Sequence, residues 1–206
     1  MEARYNVAPG QDVWVVRPAE GGSREARALR WGLVPAWSNG PRDGRAPNLI
    51  NARAETAASK PAFRSAFRER RCLVPADGFY EWATRGDFRQ PYWIAPSEGG
   101  PIAFAGLWES WRDERGETLG SCAILTCEAL GAIRALHPRS PVRLEPEAWS
   151  EWLAPGLEPD AAQALLAPRD ADWVFHPVGT AVNRVSTDDP SLLERVPEPP
   201  NQMTLL

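Results

Sequence analysis

The stretch Cys72-Leu73-Val74-Pro75-Ala76-Asp77-Gly78-Phe79-Tyr80-Glu81-Trp82 reads as strand, turn, strand. Cys72 to Val74 is a short apolar run, Pro75 to Asp77 breaks it, and Gly78 to Ala83 resumes with aromatics. Further strand candidates follow at Pro91 to Ile94, Ile102 to Trp108 and Cys122 to Thr126. Upstream, Asp12 to Val16 and Ala28 to Val34 read as strands joined by a turn at Gly21-Gly22, and Asn48 to Ala52 as a short one. Between the last two lies a Gly- and Pro-rich loop from Pro35 to Pro47. Helical patterns are short: Glu55 to Arg71 broken at Pro61, Glu128 to Leu136, Pro146 to Leu153 and Asp160 to Leu166, with a late strand from Trp173 to Val178. Runs of strands with short helices between them predict an α+β fold, one domain built on antiparallel sheet or a distorted barrel.

Composition agrees. The 206 residues include 43% hydrophobic and 24% charged, which suits a folded domain able to bury its own core. Twenty-one prolines cut the chain into short elements and argue against a helical bundle, while ten tryptophans leave some free to stack on a ligand. The net charge of -4 gives no global basic field, yet all basic residues but Lys60 are arginine, the better residue for forked phosphate contacts. Cys72, Cys122 and Cys127 show no metal-ligand spacing, and three buried thiols in a reducing cytosol are expected. No apolar run is long enough to span a membrane, and the first residues lack a signal-peptide pattern, so a cytoplasmic protein is expected.

Several residues could carry chemistry. Glu81 sits between aromatics and shares a strand face with Phe79, so partial desolvation would raise its pKa; the alternative is an edge-strand carboxylate facing water. His137 opens a loop after a helical stretch, either as an acid–base group or as a cation at a helix C-terminus. His176 lies within a strand and reads as structural. Asn51 and Arg53 would face one way on an extended segment, either gripping phosphate or sugar or capping the next helix and pairing with Glu55. Arg64, Arg68 and Arg71 form a helical stripe that is either a phosphate track or a solvated face. Trp31 and Trp37 could stack on bases, with core burial expected for at least one. A pairing of Cys72 with His137 as a hydrolase dyad requires the two within hydrogen-bond reach.

Taken together, RYNVAPG (4–10), WGLVPAW (31–37), NARAET (51–56), CLVPADGFYEW (72–82), PIAFAGLWE (101–109), AILTCEA (123–129), HPRSPV (137–142) and VNRV (182–185) resemble the SOS-response-associated peptidase family of abasic site processing proteins. The resemblance implies a sensor of abasic sites in single-stranded DNA, without metal or cofactor, expected as a monomer and as nucleoid-associated when on DNA. It implies a domain over 4–187 followed by a C-terminal coil at 188–206. It casts Asn51, Glu81 and His137 as catalytic, Asn51 orienting the sugar and the other two moving protons. Asn6, Pro9, Trp31, Trp37, Arg53, Trp82, Thr126 and Arg139 are then DNA-binding. Family members act through a cysteine following the initiator methionine, whose amine and thiol close a thiazolidine on the abasic aldehyde; the peptidase name reflects a proposed self-cleavage. Here Glu2 holds that position, so the resemblance implies a start lying further upstream; a paralogue that binds DNA noncovalently is the alternative. Pro138 and Ser140 also depart from the family's usual acidic residue and methionine.

Overall fold

In the computed structural model, which describes residues 2–41, 49–170 and 172–198, a hairpin starts the first sheet. Strands β1 (Asp12–Pro18) and β2 (Arg24–Trp31) pair antiparallel through a tight turn at Glu20–Gly22. Their alternation sorts side chains: Val15 and Leu29 point inward, while Trp14 is 41% exposed. Strands β4 (Arg71–Ala76), β7 (Ile102–Arg112) and β8 (Thr118–Glu128) complete the set. β1 pairs with β4, β4 with β7 and β7 with β8, all antiparallel, and β8 returns to β2 in a parallel pairing at Arg30↔Ser121 and Trp31↔Cys122. The five strands therefore close into a mixed barrel, which removes the sheet edges. The expected distorted barrel is present; its one parallel seam departs from an all-antiparallel sheet.

All five strands feed one interior cluster of Val15, Leu29, Cys72, Val74, Phe104, Cys122 and Ile124. The barrel is narrow enough to need glycine at Gly106, where a Cβ would stand 2.9 Å from both Cys72 Sγ and Val74 Cγ2. Outside it, β3 (Asn51–Arg53) runs parallel to β8, and the short β9 (Arg139–Pro141) and β10 (Arg143–Leu144) flank β8 and β7. Helices α1 (Ala54–Ala57), α2 (Arg64–Glu69), α3 (Pro146–Trp152) and α4 (Pro159–Leu165) cover the outer face, where Ala57, Phe67, Trp152 and Leu166 bury against Leu107 and Leu125. Proline opens both α3 and α4, where its missing N–H has no helical partner to lose.

A second sheet orders β11 (Trp173–Pro177), β6 (Phe88–Pro96) and β5 (Phe79–Arg85), all antiparallel, with β5 at an edge. One face meets the barrel through Phe79, which packs edge-on to Phe104 and Trp173. The other face, with Tyr80, Trp82 and Trp93, covers Val178, Val182 and Leu192. Past Thr187 the chain makes a 3-10 turn at Pro190–Leu193, and the His176 Nε2–H donates to the Leu193 carbonyl at 2.8 Å.

Two expectations shift. The helix expected over Glu128 to Leu136 is the end of β8 and a 3-10 turn at Gly131–Ala135. Gly131 adopts φ 60°, a left-handed conformation that no α-helix contains. Arg71 leaves the helical stripe: it begins β4, is 4% exposed, and its guanidinium donates to the carbonyls of Phe67, Arg68, Trp152 and Ala154. It thereby closes the C-termini of α2 and α3, while Arg64 and Arg68 are solvated. Residues 42–47 of the expected loop and Asn48 of the expected strand lie outside the described residues, as do 199–206 of the tail.

Candidate active site

Asn51 and Arg53 flank Ala52, which is buried on the helix side of β3, so both project the other way and are exposed. In the ladder Asn51 stands opposite Ile124 and Arg53 opposite Thr126; Thr126 in turn pairs with Pro141, and Glu128 with Arg139. Thr126 continues the inward alternation of Cys122 and Ile124 at the barrel's end and is 8% exposed. Three neighbouring strands thus bring Asn51, Arg53, Thr126 and Arg139 to one barrel mouth.

His137 lies between the 3-10 turn and β9. Its Nδ1 is 3.1 Å from the Arg139 amide nitrogen and 3.0 Å from the Arg139 carbonyl oxygen. Accepting from the amide leaves the ring proton on Nε2; donating to the carbonyl puts it on Nδ1. Either tautomer is anchored to the same residue, so the ring is oriented and its proton can change sides. Glu81 enters from β5, on the face of Phe79 and Ala83, half-buried, with its Oε2 3.9 Å from His137 Nδ1. Its Oε1 accepts the Trp82 amide N–H at 3.2 Å. A carboxylate and an imidazole at this separation can share a substrate's proton traffic without being locked together.

Arg139 is more committed than its sequence context suggests. Nη1 and Nη2 donate to the two oxygens of Glu55 at 2.7 and 2.9 Å, a bidentate fork, and Nη2 also donates to the Thr126 carbonyl and, at 3.2 Å, to its hydroxyl. The hydrogen bond from Arg139 holds the Glu55 carboxyl below its ordinary pKa, against the opposing effect of burial. The alternative that Arg53 pairs with Glu55 is replaced by this pair, and Arg53 is the exposed cation of the mouth.

The other expected residues divide. Trp37 is 70% exposed, and Pro9 is exposed too, so both offer faces to a ligand. Trp31 is half-buried against the barrel interior and its indole N–H donates to the Ile50 carbonyl at 2.9 Å, so it is the core member of the pair. Trp82 lies on the face opposite Glu81, its indole N–H held by Asn183 Oδ1 at 2.8 Å. Asn6 is 6% exposed and its amide donates to the carbonyls of Val182, Arg184 and Thr187 at 3.0 to 3.1 Å. Its side chain holds the 182–187 loop instead of facing a ligand. Asp188 completes this clasp by accepting from the Arg4 side chain and from the Tyr5 and Asn6 amides. Burial alone would raise the Asp188 pKa, but these hydrogen bonds bring it below its ordinary value. Asp188 was not singled out from the sequence, and Glu55 was named only as a partner for Arg53; a carboxylate's distant partner leaves no local pattern.

The Cys72–His137 hydrolase alternative fails. Cys72 is wholly buried inside the barrel, and burial pushes its thiol pKa well above the ordinary range. Burial likewise raises Cys122 to about 12 and pushes up Cys127. Among the described residues no cluster of His, Cys, Asp and Glu could hold a metal ion, and no helix is long and apolar enough to cross a membrane.

A mixed barrel with an amide, an exposed arginine and a carboxylate–imidazole pair at its mouth defines an α+β domain with acid–base capacity. The sequence matches the SOS response associated peptidase (SRAP) family over residues 1–185, and the chain belongs to that family. It is 38% identical over 193 residues to abasic site processing protein YoqW of Bacillus subtilis, covering 92% of this chain and 85% of that protein. With abasic site processing protein YedK of Escherichia coli the identity is 33% over 197 residues, covering 94% and 85%. The vertebrate protein HMCES of Xenopus tropicalis, also named for abasic site processing, is 30% identical, with 87% of this chain matched to 60% of it. Among solved structures, a protein of Bacteroides thetaiotaomicron superposes with a TM-score of 0.79 at 26% identity, over 94% of this chain and 82% of its own.

Proposed function

We propose that this protein recognises abasic sites in single-stranded DNA and processes them at the barrel mouth. The observation that carries this is the Glu81–His137 pair, 3.9 Å apart, beside exposed Asn51 and Arg53 in a chain whose relatives are named for abasic site processing. An abasic deoxyribose opens to an aldehyde. Attack on it by an amine needs a proton removed from nitrogen and another delivered to the departing oxygen. Glu81 and His137 serve those two transfers. The Asn51 amide orients the sugar, Arg53 holds a flanking phosphate, and Trp37 and Pro9 pack against neighbouring bases.

An unpaired strand suits this mouth because aromatic faces accept bases of any identity once they are unstacked. With the chain at -4 overall, strand affinity rests on local arginines and falls with salt. The resemblance to the family implies as nucleophile a cysteine after the initiator methionine, closing on the sugar as a thiazolidine; Glu2 holds that position here. The thiols of Cys72, Cys122 and Cys127 are buried and take no part.

The test is binding of an end-labelled single strand with one abasic position, of its intact counterpart and of a duplex, each sample then split between native and denaturing gels. Tighter binding of the abasic strand than of the intact strand or a duplex is expected. A band that survives denaturation reports covalent capture; salt-sensitive binding without one reports the noncovalent mode. Equal affinity for all three DNAs would sink the proposal.

A further inference from the structure

Arg139 reaches the mouth with its fork already filled. Glu55 takes one hydrogen bond from each terminal nitrogen, at 2.7 and 2.9 Å, and Thr126 takes more from Nη2. The pair is partly solvated, with 25% of the Arg139 side chain and 49% of the Glu55 side chain exposed, so an incoming phosphate would meet a neutral unit. Arg53, on β3 across the intervening β8, is exposed and within electrostatic reach of the same Glu55, but among the described residues it shares no fork with it. Phosphate attraction therefore differs sharply between two arginines of one site.

We propose that Glu55 restrains this site's grip on the DNA backbone: by occupying the forked face of Arg139 it keeps lesion-independent binding weak and residence on intact strands short, while capture at a lesion depends on what the sugar offers Asn51, Glu81 and His137. This rests on the single-strand reading above. Backbone contacts are the same for an intact and an abasic strand, so each added phosphate contact tightens both equally in free energy and lengthens unproductive residence on intact DNA. A carboxylate that competes with phosphate for one guanidinium limits that residence. A DNA phosphate that does engage Arg139 must displace Glu55 or use the donors the fork leaves over.

Glu55→Gln keeps the shape and removes the charge. Its affinity for an intact single strand should rise about threefold or more, and the slope of log affinity against log salt should steepen by about 0.7, one phosphate contact on a single strand. Arg139→Gln is the control. In that background Glu55→Gln should leave the salt slope unchanged, which separates a released Arg139 from mere loss of a negative charge. Weaker binding by Glu55→Gln would mean that Glu55 serves to position Arg139, and an unchanged slope would mean that Arg139 meets no phosphate; either result overturns the inference. Failure of the wild-type protein to prefer abasic single strands is a different outcome, and it removes the functional proposal itself.

Discussion

Glu81 comes from β5 of the second sheet and His137 from the loop before β9, and each is oriented by backbone: Glu81 by the Trp82 amide, His137 by Arg139. Glu81→Gln retains the shape and removes the carboxylate proposed to carry protons. Reaction of a bound abasic aldehyde is expected to slow by about a hundredfold or more, with strand affinity near wild type, measured by single-turnover gel assay. A loss confined to affinity would place Glu81 in binding alone. Tyr80 offers a second test. Burial, with the nearby Asp188 charge, raises its pKa to about 12 while its hydroxyl donates to the Tyr5 carbonyl at 2.9 Å. For an acid whose folded pKa is raised, the stabilising effect is full below the ordinary value near 10 and is lost as pH climbs toward 12. Ultraviolet titration of wild type against Tyr80→Phe should show one tyrosinate step missing at the alkaline end. A step missing near pH 10 instead would show Tyr80 to be solvated.

Elements in this fold are short and depend on single side chains to finish them. Arg71 does so for α2 and α3 at once, donating to four carbonyls while stacked 5.7 Å above Trp152. Lysine cannot reproduce a planar fork, so Arg71→Lys should cost about 2–3 kcal/mol and lower the melting temperature by about 5–10 °C in calorimetry. An unchanged melting temperature would show those carbonyls to be satisfied otherwise. The Asp188 clasp fastens the Arg4–Gly10 arm to the loop after β11. Asp188→Ala leaves two amides without their acceptor and is expected to cost about 2 kcal/mol and to admit proteases within that arm first. Because its pKa is lowered, this contribution holds above the ordinary carboxylate value of 3.8 and fades as the pH falls below it. Digestion of Asp188→Ala at the wild-type rate would argue against the clasp.

At the scale of the whole molecule, what was legible followed periodicity. All eight barrel and second-sheet strands overlap segments expected from the sequence, because apolar and aromatic residues alternate or run together in them, as in Ile102 to Trp108. Closure was not legible: the parallel seam between β2 and β8 rests on two residue pairs some ninety positions apart in the chain, and no local pattern encodes it. The Glu128 to Leu136 segment misleads because Ala, Leu and Ile at helical spacing outweigh one glycine in composition, whereas the left-handed Gly131 decides the backbone. At the proposed site, Glu81, His137, Asn51 and Arg53 stand out in the sequence as residue types with motif-like neighbours. The clasping role of Asn6 does not, since an amide spent on three carbonyls looks in sequence like one available to DNA.

The central claim joins a place to a ligand, and amide hydrogen exchange tests both together. The protein would be compared with a short abasic single strand, with its intact counterpart and without DNA. Extra protection confined to Asn51–Glu55, Phe79–Trp82 and His137–Pro141, and larger for the abasic strand, is the predicted result. Identical protection by both strands, or protection centred on the helices of the barrel's outer face, would contradict it.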